Sequence, residues 1–297
     1  MHPAKSIILF TTLSGLGFGF LAFLCVGPSP VTGWGAVAGF ASGLALAGAG
    51  LMASAFHLGH PERALKAFTQ WRSSWLSREG WLACATLAVT GANAAFAVFA
   101  GIRVPPLAWL GAVLCVITLT ATSMIYAQLK TVPRWNHWTT TALFLLLAFC
   151  GGALLSAMTW TAVTLLAGTG LVQCYAWRIG DSRLRASGTT SATATGLGGS
   201  GAVRSFEPPH TGDSYLTREM IHVIARRHSR KLRRTAFLLS FLLPIALLPA
   251  ASAYGQAIGA AAIWAAAICA HVAGVFVLRW LFFAEAEHVV GFYYGRR

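Results

Sequence analysis

The chain has 297 residues, of which 56% are hydrophobic and only 10% charged, and its mean hydropathy is +0.65. That composition excludes a stand-alone soluble enzyme: apolar runs of about twenty residues, enough to cross a hydrocarbon core about 30 Å thick, leave no room for a soluble catalytic domain. Lys+Arg number 22 against 8 Asp+Glu, an excess suited to anionic lipid or an acidic partner; nucleic acid is not expected, because no recognition fold accompanies the charge.

Taken in chain order, the expected spans lie at 6–26, 34–56, 80–101, 107–127, 138–157, 159–177, 236–254 and 257–283. Backbone groups in lipid must be satisfied within the segment, so the expected fold class is all-α. The chain is expected to be a polytopic membrane protein with eight transmembrane helices, residues 1–297 forming a single transmembrane helical domain. The first run lacks an Ala-x-Ala-type exit and is expected to span rather than to be cleaved. Gly35, Gly39 and Gly43 in the second helix, with Gly15/Gly19 and Gly255/Gly259, form small-xxx-small patterns expected to let helices approach closely. The six cysteines stand apart, with no C-x-x-C pair, so packing is their expected role and no iron–sulphur or structural metal centre is expected in this chain.

Sorting charge by side orients the spans. Arg103 alone falls on one face, whereas Lys5, Arg63, Lys66, Arg72, Arg78, Lys130, Arg134, the basic residues of the sixth connection and Arg296 and Arg297 fall on the other. By the positive-inside rule both termini are expected in the cytoplasm, in the cytoplasmic (inner) membrane of a bacterium. Arg279, near the cytoplasmic end of the last helix, is expected to snorkel. All eight carboxylates fall on the cytoplasmic side, and none sits at mid-membrane. Transport through the bundle is thereby disfavoured, although a small-substrate transporter is an alternative from another class.

The second connection, 57–79, is the densest polar stretch near the membrane. Pro61 suits the first position of a helix; Ala64, Leu65, Phe68 and Trp71 follow helical spacing, with Trp71 and Trp75 at headgroup level. His57 closes the second helix and Glu79 opens the third, so the returning loop should bring them together. A histidine and a carboxylate there can hydrogen-bond quinone carbonyls and exchange the protons of a two-electron reduction; equally, each can simply cap its helix. Tyr126, Arg134 and His137, around the fourth connection, are weaker candidates for the same pocket, with interfacial anchoring as their other reading.

The motifs His57-Leu58-Gly59-x-Pro61-x-Arg63-Ala64, Leu76-Ser77-x-Glu79 and Thr131-Val132-Pro133-x-Trp135 resemble the membrane anchor family of dimethyl sulfoxide reductase, over most of the chain. The resemblance implies a quinone (menaquinone or ubiquinone) as cofactor, no haem in the anchor, a four-cluster iron–sulphur subunit as direct partner and a molybdopterin catalytic subunit beyond it. It also implies that the family's quinone-site histidine and glutamate fall on His57 and Glu79. The cytoplasmic placement of the matching loops departs from the outward-facing complex. It agrees with the branch that anchors a cytoplasm-facing, sulfite-oxidising molybdoenzyme, which the chain also resembles in Phe206-Glu207-Pro208-Pro209-His210. Electron flow from sulfite to quinone is implied; the alternative is a dimethyl-sulfoxide-type anchor that oxidises quinol.

Composition shifts between 178 and 235, the expected cytoplasmic connection. Its 186–203 stretch is low in complexity and expected to be flexible, and 214–235 is expected to form a basic amphipathic helix begun by Asp213. Arg63, Lys66, Arg72, Arg226, Arg227 and Arg230 are the candidates for partner docking, with binding of membrane lipids as the other use of the same charge. His271 is alone within a span; a bis-histidine haem needs a second ligand, so a helix-to-helix hydrogen bond is expected instead.

Overall fold

The structure is a computed structural model, and it describes residues 2–27, 32–56, 61–199, 201–204, 206–207, 211–212, 214–221, 228–254 and 258–294. Every regular element among them is helical. In chain order these are α1 (Lys5–Val26), α2 (Gly35–Ala55), a 3-10 helix (Pro61–Phe68), α3 (Trp75–Ala95, prolonged by a π turn, Phe96–Ala100), α4 (Pro105–Ala127), α5 (Trp138–Leu155) and α6 (Thr159–Ala186). Short helices α7 (Ser191–Thr195) and α8 (Tyr215–Glu219) follow. Next comes a rod made of α9 (Ser229–Phe237), a π turn (Leu238–Leu242) and α10 (Leu243–Ala253), and finally α11 (Ile258–Ala284) and α12 (Val290–Tyr293).

Seven of the helical stretches among the described residues are long and apolar enough to cross a membrane. α6 accounts for the difference from the expected eight: it has 28 residues, but its Thr, Gly and Gln residues lower its hydropathy. It also continues past residue 177, where the expected span ends, because Asp181 and Arg183 find partners on the fourth connection rather than water alone.

α1 lies at the centre, packed on α2, α4, α5 and α11. Glycines set the spacing, those of the sequence pattern among them: a Cβ on Gly43 or Gly39 would crowd Leu21 or Leu24 of α1. Gly17 abuts the Ala47 backbone and Gly50 the Ser14 backbone, so neither site has room for a Cβ, whereas Gly15 and Gly259 face open space. Gly19 does make a close approach, to Ala148 of α5. One apolar core joins α1 to α2–α4, around Phe18, Leu21 and Phe40; a second joins α5, α6, α10 and α11, around Leu166, Phe241 and Leu278.

Chain chemistry accounts for the irregular turns. Gly101, in the left-handed region at φ 66°, ends the π turn after α3, and Pro105 opens α4 where no N–H is needed. In the seventh rod Pro244 has no N–H to offer the Ser240 carbonyl, and His271 Nδ1 of α11 occupies that acceptor at 2.8 Å. The expected helix-to-helix bond of His271 is therefore present. At the end of α1, Arg103 donates to the carbonyls of Cys25 (2.5 Å) and Gly27 (3.2 Å), so the one basic residue assigned to the opposite face caps a helix.

In the long connection, a reciprocal pair of Thr190 and Thr193 closes a capping box on α7 within the low-complexity stretch. The expected basic helix 214–235 is not continuous: α8 ends at Glu219, Met220 and Ile221 form a turn and a bend, and α9 begins at Ser229 and runs to Phe237; Asp213 and residues 222–227 lie outside the described residues.

Candidate functional site

Glu79 sits in the second turn of α3, 3% exposed. The chain just before it explains that burial. Arg78 folds back to donate to the carbonyls of Trp71 (2.9 Å) and Arg72 (2.6 Å) while its guanidinium lies over Trp75. Trp81 donates its indole N–H to the Phe68 carbonyl at 3.0 Å, and the two rings meet edge to face. Gly80 makes this possible, since a Cβ there would crowd the Phe68 ring. The 3-10 helix is thus clamped over the start of α3.

The hydroxyl of Thr122 on α4 donates to Glu79 Oε1. Below it Thr86 and Thr118 join the same two helices at 2.8 Å, so a hydroxyl seam runs down from the carboxylate between α3 and α4. No basic side chain forms an ion pair with Glu79 among the described residues. Tyr126, one turn beyond Thr122, lies within electrostatic range of Glu79 on one side and of Arg279 on the other. Its ring is wedged among Trp135, Phe144, Phe282 and Phe283. His57 lies outside the described residues, directly beyond Phe56, the residue that caps α2.

The remaining pocket candidates go elsewhere. Arg134 joins a four-member ion cluster: it binds Asp181 at 2.5 Å and Glu285 at 3.2 Å, while Arg233 binds Asp181 at 2.7 Å and Glu285 at 2.6 Å. Burial opposes ionisation of Asp181, but hydrogen bonds from Arg233 and Arg134 and their charges outweigh it and hold the carboxyl down to about 2. Gly180 leaves the space that the Arg134 guanidinium fills. His137 caps α5, accepting from the Thr139 N–H at 3.4 Å; burial, and then the charge of Arg183, hold its imidazole below the ordinary histidine value.

Among the docking candidates, Arg63, Lys66, Arg72 and Arg230 are exposed, whereas Arg226 and Arg227 lie outside the described residues. Arg63 is 3.9 Å from Glu62, and Arg72 lies over the Trp71 ring.

Sequence reasoning missed the ion cluster, having counted Asp181 and Glu285 only as charges on one side. It also misplaced Arg279, which does not snorkel: it is 4% exposed, and its guanidinium lies 3.8 Å from the centre of the Phe144 ring. No group of three or more His, Cys, Asp or Glu side chains suited to a metal occurs among the described residues.

Comparison with known proteins matches residues 6–174 to the family described as DMSO reductase anchor subunit (DmsC). The chain is also 31% identical, over 330 aligned positions covering 99% of both proteins, to a sulfite dehydrogenase subunit of Allochromatium vinosum. The chain belongs to the DMSO reductase anchor subunit family. It is thus a multi-pass membrane anchor of an oxidoreductase complex. The family match takes in Glu79, Thr122, Tyr126, Arg134 and His137 but ends before Asp181, Arg233 and Glu285; those three fall within the full-length similarity to the sulfite dehydrogenase subunit.

Proposed function

We propose that this anchor passes electrons from cytoplasmic sulfite oxidation to membrane quinone, receiving them from a four-cluster iron–sulphur subunit that is fed in turn by a molybdopterin catalytic subunit. The observation that carries the reading is the buried Glu79 carboxyl, which among the described residues has a threonine hydroxyl for a partner and no countercharge, at the head of α3 beneath the clamped second connection. A carboxyl so placed can take up and release the proton that accompanies each electron, and His57, at the facing end of α2, donates to a quinone carbonyl. Tyr126 lies one turn beyond Thr122, the hydroxyl partner of Glu79, whereas Arg134 and His137 support the surrounding helices. The full-length similarity to a sulfite dehydrogenase subunit supports sulfite as the electron source.

In this reading α6 is the eighth span through its 159–177 part, both termini are cytoplasmic, and residues 178–235 form a cytoplasmic connection. Exposed Arg63, Lys66, Arg72 and Arg230, together with Arg226 and Arg227, face the iron–sulphur subunit and the anionic lipid around it. The bound quinone supplies the two-electron, two-proton chemistry; this chain positions its head group and manages the protons.

The test uses the intact complex with Glu79→Gln and His57→Gln variants. Dye-linked sulfite oxidation should persist while quinone reduction is lost, and full quinone activity in both variants would reject the site. The family description favours one rival, an anchor that oxidises quinol for a reductase. Reporter fusions at the two ends of the chain separate the readings, because termini outside the cytoplasm favour the rival.

A further inference from the structure

A second polar position borders the aromatic cluster around Tyr126. A cavity of about 60 Å³ opens between α5, α6 and α11, and two of its lining side chains are polar groups left without a hydrogen-bond partner among the described residues. Arg279 enters from α11. A guanidinium carries five N–H donors, yet Arg279 makes no hydrogen bond among the described residues, its Nε is buried without a partner among them, and its guanidinium lies over the Phe144 ring. Gln173 enters from α6; it is 7% exposed, and its amide likewise makes no hydrogen bond among the described residues.

The walls between these donors are aromatic and held in place. Phe282 stacks on Trp135 at 5.1 Å, and Trp177 lies under the Arg233 guanidinium of the ion cluster. Arg134 and Glu285 form part of the lining, but they are already paired with each other and with Asp181 and Arg233. The unsatisfied capacity is therefore two sets of N–H donors on different helices around a flat, apolar slot. A ligand matching that pattern is a planar ring with two acceptor oxygens, delivered from the membrane.

We propose that this cavity is a second quinone head-group position, in which Arg279 and Gln173 donate to the two ring carbonyls while the ring lies among Phe144, Trp177 and Phe282. The inference rests on the reading that this chain handles quinone. It differs from the Glu79 site in place and in donors, and Tyr126 packs against its aromatic wall: the Tyr126 ring centre is 5.6 Å from that of Phe144 and 5.5 Å from that of Phe282. A second position on the same chain provides a waiting place from which quinone exchanges with the Glu79 site.

The test is photolabelling of the intact complex in native membranes with a short-tailed azidobenzoquinone, followed by peptide mapping. Label is expected on 143–147 and 276–282, competed by excess short-chain ubiquinone, and requiring about tenfold more probe for half-saturation in Gln173→Leu and Arg279→Met. Should Arg279→Met fail to accumulate, Arg279→Lys and Gln173→Leu carry the comparison, and the wild-type map stands regardless. Label confined to the 57–79 segment overturns the second position and leaves the Glu79 reading intact. Label at both places that is unaltered by the variants also overturns it. Cavity labelling in a complex whose Glu79→Gln variant still reduces quinone fully supports this position while removing the Glu79 site. Absence of competed label anywhere overturns both.

Discussion

Glu79 and Glu285 are both carboxylates buried beyond nine-tenths, and they differ in everything around them. Glu285 receives two guanidinium groups, Arg134 and Arg233, which share Asp181 as a further counter-ion, so two positive and two negative charges close on themselves. Glu79 receives one threonine hydroxyl. The closed cluster binds α6, α9, the end of α11 and the fourth connection together. The lone carboxyl has no such compensation among the described residues, which is why it, and not Glu285, is the group proposed to exchange protons. Burial alone does not separate a structural acid from a chemically useful one; the number of cations around it does.

Substitutions can break that contrast. The largest effect should come from Glu79→Gln, with quinone reduction by the complex falling by a factor of about 10² or more, as loss of an acid–base group does. The sulfite reaction with a dye acceptor should be unchanged. Next is Arg233→Met, which leaves Glu285 and Asp181 with one guanidinium between them. Losing its charged hydrogen bond to the buried Glu285, which keeps Arg134, costs about 1.5–3 kcal/mol, visible as earlier thermal unfolding in detergent. Arg233→Lys should rescue only part of this, since an ammonium cannot serve both carboxylates in the bidentate way of a guanidinium.

A smaller effect concerns acid. The Asp181 carboxyl in the folded protein sits at about 2, below its ordinary value of 3.8. Its contribution to stability is therefore fully present above about pH 4 and is lost as the pH falls through 2. Because its side chain is half exposed, salt should reduce the effect. Thermal melts between pH 4 and 2 should show the wild type losing stability relative to Asp181→Asn, with a narrower gap at high ionic strength. The smallest effect is expected for Trp81→Phe, which keeps the ring contact with Phe68 but removes the indole donor. A loss of about 0.5–1.5 kcal/mol should appear as faster proteolysis of the 61–74 stretch.

Hydropathy made most of the helices legible, because a run of apolar residues of bilayer length has few other uses. α6 was legible in length but not in composition, and its extension to Ala186 depended on contacts with the fourth connection that no local pattern encodes. Glu79 could be found because its charge stands at a span boundary. The ion cluster could not: its members at 134, 181, 233 and 285 come from separate segments with no common periodicity. Arg279 was misjudged for a related reason. Position along a helix tells how far a side chain must reach to water, but only packing tells which way it faces, and here it faces Phe144. The glycine patterns show the same limit: the Gly39/Gly43 spacing marks a face of α2 that packs on α1, but it does not reveal Gly17 and Gly50, each of which meets the other helix's backbone.

The ion cluster also bears on how the chain is made. Synthesis runs from the amino end, so Arg134, Asp181 and Arg233 emerge from the ribosome before their last partner, and until Glu285 follows them the group carries an unbalanced positive charge. Closure of the cluster thus reports that the final helix has been inserted and has docked. A nascent or truncated anchor lacking that helix would present two arginines sharing a single aspartate. The completed chain is distinguished from its own unfinished forms by a charge that disappears from its surface.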